Sequence, residues 1–175
     1  QITLAVTGSI SAYKAADITS QLGKLGYTVS ILMTEAASHF ITPLTLQVLS
    51  KNPVTLDIME EPCPDKVNHI EIAKQTDLFL VAPASANTIA KLANGFADNM
   101  ITSPALALPS TAKKVLAPAM NTKMYENPIT QENLSKLEKY GWQMIQPRET
   151  VLACGDKGIG ALASVETIIK KVKEM

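Results

Sequence analysis

Strand-length apolar runs alternate with helix-spaced ones along the whole chain, and this alternation constrains the fold more than any other feature. Residues 2–7 form a short apolar run that ends at Gly8-Ser9. Between residues 12 and 25 apolar side chains recur at helical spacing (Ala12, Ala15, Ala16, Ile18, Leu22, Leu25), and Gly26 follows as a stop. Residues 27–33 are a second apolar run, which completes a strand–turn–helix–strand unit. The pattern continues with helical pieces at 35–40 and 44–49, split by Pro43, and a weak strand at 54–57. A strong buried strand at 78–81 precedes helices at 86–93 and 100–108. A strand at 113–116, a helix at 131–140, a strand at 143–145 and a helix at 165–172 complete the series. This predicts an α/β fold: a single-domain Rossmann- or flavodoxin-like three-layer sandwich, its mostly parallel sheet covered on both faces. No repeat, low-complexity tract or linker interrupts residues 1–175, which read as one domain.

In such sheets ligands bind beyond the carboxyl ends of the strands, where the strand order reverses. The residues that follow the strands are small, hydroxylated or amide-bearing: Thr7-Gly8-Ser9-Ile10-Ser11, Thr34, Pro83-Ala84-Ser85-Ala86-Asn87-Thr88 and Pro118-Ala119-Met120-Asn121. Gly8 lets backbone approach a ligand, while Ser9, Ser11 and the amides of a helix start offer an anion site. The segment is neither Gly-x-Gly-x-x-Gly nor a nucleoside-triphosphate loop, so it fits a single phosphate better than a dinucleotide. The plainer reading of Ser85 and Asn121 is helix capping, and that of Met120 and Met124 is core filling. Capping accounts less well for Asn87 and Thr88 in the first helical turn. If the segment after Asn121 is helical, Met124 shares its face.

Two further segments carry reactive side chains. His69 stands in Val67-Asn68-His69-Ile70, before an apolar stretch that leads into the strong strand; a lone histidine there is more often a surface or capping residue. Cys154 sits in Leu152-Ala153-Cys154-Gly155-Asp156-Lys157-Gly158-Ile159-Gly160, whose three glycines predict a mobile loop or lid. Lys157 would ease deprotonation of that thiol and Asp156 would oppose it. His39 and Cys63 receive no role.

Composition removes other classes. Lys+Arg and Asp+Glu balance at 16 each, and the one short basic cluster, Lys170, Lys171 and Lys173, reads as a solvated helix face. With aromatics at 5%, there is no signature of a nucleic-acid partner. No apolar run approaches the roughly 18 residues of a membrane span, and a strand at the very start predicts no signal peptide. Two distant cysteines without a Cys-x-x-Cys pattern fit a cytoplasmic setting. No histidine, cysteine or carboxylate cluster has metal-ligand spacing.

Taken together, these segments resemble the homo-oligomeric flavin-containing cysteine decarboxylases, from Thr7 to Gly160. Pro83–Thr88 reads PASANT, the family's signature; residues 118–125 are similar to its PxMNxxMW signature, with Tyr125 in place of tryptophan; Asn68-His69 matches its histidine segment. The Ala153-Cys154-Gly155-Asp156 loop resembles the branch that converts 4′-phosphopantothenoylcysteine to 4′-phosphopantetheine in coenzyme A biosynthesis. Many relatives continue Gly-x-Gly-Arg, whereas Ala161 follows Gly160 here.

The resemblance implies FMN as cofactor, held by Gly8, Ser9, Ser11, Thr34, Ser85, Ala86, Asn87, Thr88 and Ala119. It implies oxidation of the substrate's cysteine side chain to a thioaldehyde, loss of carbon dioxide to an enethiol, and reduction to the aminothiol. His69 would be the acid–base group, Asn121 the carboxylate clamp and Cys154 the proton donor, with Met124 and Ala153 lining the substrate site. It further implies a homotrimer or homododecamer with sites across subunit contacts, and a separate ligase supplying the substrate. Two alternatives stand beside this reading. One is a peptidyl-cysteine decarboxylase, which Cys154 opposes. The other is a non-catalytic phosphatase-regulatory relative, which lacks the catalytic pattern and carries acidic extensions.

Overall fold

A computed structural model of the chain describes residues 1–155 and 157–175; the sequence reading of Asp156 lies outside them. Six strands form one sheet: β1 (Ile2–Val6), β2 (Val29–Met33), β3 (Val54–Thr55), β4 (Leu78–Ala84), β5 (Lys113–Pro118) and β6 (Trp142–Met144). Their order is β3-β2-β1-β4-β5-β6 and every pairing is parallel. Parallel neighbours cannot be joined by tight turns, so helices carry the chain back each time. These are α1 (Ala15–Lys24), α2 (Glu35–Ser38), α3 (Pro43–Ser50), α4 (Asn68–Gln75), α5 (Ala86–Ala93), α6 (Thr102–Leu106), α7 (Thr122–Glu126), α8 (Pro128–Lys139) and α9 (Val165–Lys173).

Both faces of the sheet are covered, which is why β1 and β4 are buried at every position instead of alternating. Leu4, Val6 and Leu80 point into one core with Ile18 and Leu22 of α1 and Ile168 of α9. Ala5, Phe79 and Val81 point into the other with Ile89 of α5 and Leu134 of α8. There the Phe79 and Trp142 rings meet edge-to-face, centroids 6.1 Å apart. Burying a side chain of this size contributes about 1.5–3 kcal/mol. Buried Thr3 is satisfied by the Thr76 hydroxyl at 2.7 Å.

The structure departs from the sequence reading in three places. The first predicted helix opens as a 3₁₀ turn, Ile10–Lys14, before α1. The segment around His69 is the start of α4 and not a lead into a strand. The glycine-rich stretch is a loop only around Cys154: β7 (Arg148–Val151) and β8 (Lys157–Ala161) on either side form an antiparallel hairpin beside the main sheet. Close contact explains two of its glycines, while Gly155 sits in open space at a φ of +89°. A Cβ on Gly160 would lie 2.3 Å from the Met120 carbonyl oxygen, and one on Gly158 would lie 2.5 Å from Thr122 Oγ1. The Met120 amide donates to Gly160 O at 2.9 Å, which locks the hairpin onto the turn before α7.

Candidate active site

The strand order reverses between β1 and β4, and a large cavity opens there, beyond their carboxyl ends. Thr7 ties the two strand ends together. Its hydroxyl donates to Pro83 O at 2.7 Å and accepts the Ser85 amide at 2.8 Å. Each flanking loop then turns into a capped helix. Ser9 accepts the Ser11 amide at 3.2 Å, Thr34 the Ala37 amide at 3.1 Å, and Ser85 the Thr88 amide at 3.3 Å. Capping is therefore real at these positions; the Ser9 and Thr34 hydroxyls keep a proton to donate, while Ser85 Oγ gives its own to Thr88 Oγ1 at 3.3 Å. Gly8 is required for packing, since a Cβ there would lie 2.6 Å from the Ala36 Cβ.

The cavity measures about 760 Å³, within the range of small-molecule sites. All nine positions read as flavin-binding lie on its wall: Gly8, Ser9, Ser11, Thr34, Ser85, Ala86, Asn87, Thr88 and Ala119. Asn121, Met124, Ala153 and Cys154 lie on it as well. The donor set of hydroxyls, an amide and helix-start N–H groups suits a phosphate and a polar ring system, so FMN fits the residues present.

Asn121 has two jobs that its amide separates. Its oxygen accepts the Lys123 amide at 2.9 Å and caps α7, while Nδ2 donates to Cys154 Sγ at 3.3 Å. Sequence positions 33 apart thus meet on the cavity wall. Cys154 is exposed, in the turn of the β7–β8 hairpin, where the Gly155 amide donates to Leu152 O at 2.8 Å. Tyr125 is buried, and its hydroxyl donates to Gln146 Oε1 at 3.2 Å.

His69 is placed differently. It lies in the first turn of α4, outside this cavity wall, and its Nδ1 is buried without a hydrogen-bond partner among the described residues. The structure also adds residues the sequence reading missed, among them Lys14, Ala36, Met120, Arg148 and Thr150. Lys14 and Arg148 are the charged members of the described wall, and none of it is acidic. Burial holds the Lys14 ammonium below the usual lysine range, Arg148 lowers it further, and Glu166 opposes both.

Comparison with known proteins points the same way. The model of the Flavoprotein family matches residues 1–175. The chain is 65% identical over 174 residues to a probable phosphopantothenoylcysteine decarboxylase of Streptococcus mutans, covering 99% of this chain and 97% of that one. It is 46% identical over 169 residues to the coenzyme A biosynthesis bifunctional protein CoaBC of Bacillus subtilis; this covers 97% of the chain but 41% of that longer protein. Among solved structures, it superposes on a PPC decarboxylase mutant complexed with pantothenoylaminoethenethiol with a TM-score of 0.88 and 34% identity, covering 99% of this chain and 96% of that one. The FMN-binding protein AtHal3 gives a TM-score of 0.84, also at 34% identity, covering 99% and 94%.

Proposed function

The chain belongs to the flavoprotein family, and on that premise we propose that it decarboxylates 4′-phosphopantothenoylcysteine to 4′-phosphopantetheine in coenzyme A biosynthesis. The observation that carries the reading is the Asn121 amide set against the Cys154 thiol on the wall of a flavin-sized cavity. FMN would be held by the β1 and β4 loops, and when bound it supplies a reversible two-electron acceptor for an otherwise unstabilised decarboxylation. Asn121 Nδ2 donates to the substrate carboxylate, with its oxygen already committed to the α7 cap, so the amide cannot flip. Cys154, beside that carboxylate, gives a proton to the carbon that carbon dioxide leaves. Met124 and Ala153 line the space between.

His69 manages the proton at the thiol oxidation step. Its place outside this chain's own cavity fits a homotrimer or dodecamer in which it serves a neighbour's cavity. The enzyme works in the cytoplasm and takes its substrate from a ligase that joins cysteine to phosphopantothenate.

The test is direct. Purified protein should show flavin absorption bands and release carbon dioxide and 4′-phosphopantetheine in equal amounts from 4′-phosphopantothenoylcysteine. Cys154→Ser should still release carbon dioxide but yield a product two mass units lighter, the enethiol. Colourless protein that leaves the substrate intact sinks the reading, and normal product from the serine variant sinks the proton-donor role.

A further inference from the structure

The cavity carries two cations that the chemistry above does not use. Lys14 closes the 3₁₀ turn after β1, and Arg148 opens β7. Arg148 Nε donates to Leu162 O at 3.0 Å, which fixes the root of the guanidinium and leaves its outer N–H groups. Neither residue takes part in an ion pair among the described residues, although Glu166 lies close enough to be felt by both. Lys14 Nζ has one weak contact, 6.0 Å from the Tyr13 ring centroid. Two cations brought together on a wall whose described residues include no acid repel one another, Glu166 offsets this only in part, and a dianion between them removes the cost.

We propose that Lys14 and Arg148 form the subsite for the terminal phosphate of the substrate, a specificity device that rests on the functional reading above. Strand β7 acts as the ruler. From Arg148 it runs toward the turn that carries Cys154, and at roughly 3.3 Å per residue the four steps from Arg148 to Leu152 span about 13 Å. The substrate's phosphorus and its cysteine α-carbon are separated by about eleven bonds, which extended cover about 13 Å. With its carboxylate at Asn121 and its thiol end at Cys154, the phosphate falls at the Arg148 end. Arg148 pairs directly across the hairpin with Ala161, and both lie on the cavity wall. Side chains facing each other across such a pair leave the sheet on the same side, and the small Ala161 leaves room there for the guanidinium.

The experiment compares phosphorylated and dephosphorylated compounds on holoenzyme. For Arg148→Gln and Lys14→Gln, KM for 4′-phosphopantothenoylcysteine should rise roughly 10- to 100-fold each, as for a lost hydrogen bond to a charged group. KM for pantothenoylcysteine should stay at its wild-type value, which also shows that the variants fold. Calorimetric Kd for 4′-phosphopantetheine should rise in parallel while that for pantetheine does not, and Arg148→Lys should recover part of the loss. Equal losses on both compounds would mean a structural role and overturn the proposal. So would selective loss of FMN with riboflavin binding kept, which would assign the pair to the cofactor's phosphate. Wild type that turns over neither compound overturns the functional reading itself, and this subsite with it.

Discussion

At the scale of single residues, Asn121 shows how a plain structural role and a functional one can share a side chain. Its oxygen caps α7 and its nitrogen faces Cys154. Asn121→Asp separates the two. Aspartate caps a helix as well as asparagine does, so unfolding stability should stay within about 0.5 kcal/mol. The nitrogen donor, however, becomes a second acceptor with a negative charge, set against the substrate carboxylate. That should cost about 3 kcal/mol or more in kcat/KM, a loss beyond 100-fold. Thermal melts beside steady-state kinetics read the two effects; a stable variant with near-normal kcat/KM would remove the clamp. The site was legible in sequence where short-range rules apply: Ser9, Thr34, Ser85 and Asn121 each follow a strand and precede a helix. Lys14 and Arg148 were not legible, since nothing local marks a lysine early in a helical stretch or an arginine after a proline. Their meeting depends on the hairpin register and on how the hairpin sits against the first turn.

At the scale of elements, the hairpin of β7 and β8 decides where Cys154 stands. Glycine-rich sequence carries two opposite meanings, freedom or close packing, and local pattern does not separate them. Here Gly158 and Gly160 are packing glycines. Gly160 combines a φ of +145° with a backbone oxygen 2.3 Å from any added Cβ, while at Gly158 the obstacle is the Thr122 side chain. Backbone yields less than a side chain. Gly160→Ala should therefore destabilise by about 2–4 kcal/mol and abolish product formation by displacing Cys154, with Gly158→Ala milder on both counts. Unfolding midpoints and product assays on the pair check this; an active, stable Gly160→Ala protein would show that the hairpin does not depend on the Met120 contact. Helix α4 was missed for a different reason. Its N-cap, Val67, has no side-chain bond to offer, and Ile70, Ile72 and Ala73 span too few residues to establish a helical period, so tertiary packing makes that helix. The long α5 signal, by contrast, starts at a serine cap and ends before a glycine at positive φ, and its bounds were readable as they stand.

At the scale of the whole molecule, the parallel sheet explains why one edge gathers residues from every part of the chain. All strands point the same way, so every strand-to-helix turn arrives at the same rim, and the reversal between β1 and β4 opens a gap there. His69 follows a different logic, because α4 packs against α6 and contributes nothing to the described cavity wall. A buried Nδ1 with no partner costs about 1–3 kcal/mol, a penalty that contact with a second copy or its ligand can relieve. Val67 beside it is half exposed, as are Tyr13 and Ile10 near the cavity, so apolar surface flanks both places. If His69 serves a neighbour's cavity, defects at His69 and Asn121 must complement. Each chain in a mixed assembly of His69→Asn and Asn121→Asp lacks one partner, yet some cavities then combine an intact Asn121 from one chain with an intact His69 from the next. Co-expressed and purified as mixed oligomers, two individually inactive variants should regain a measurable fraction of wild-type decarboxylation. Mixed oligomers confirmed by native mass spectrometry but devoid of activity would place His69 in its own chain's chemistry, and would require α4 to move toward the cavity during turnover.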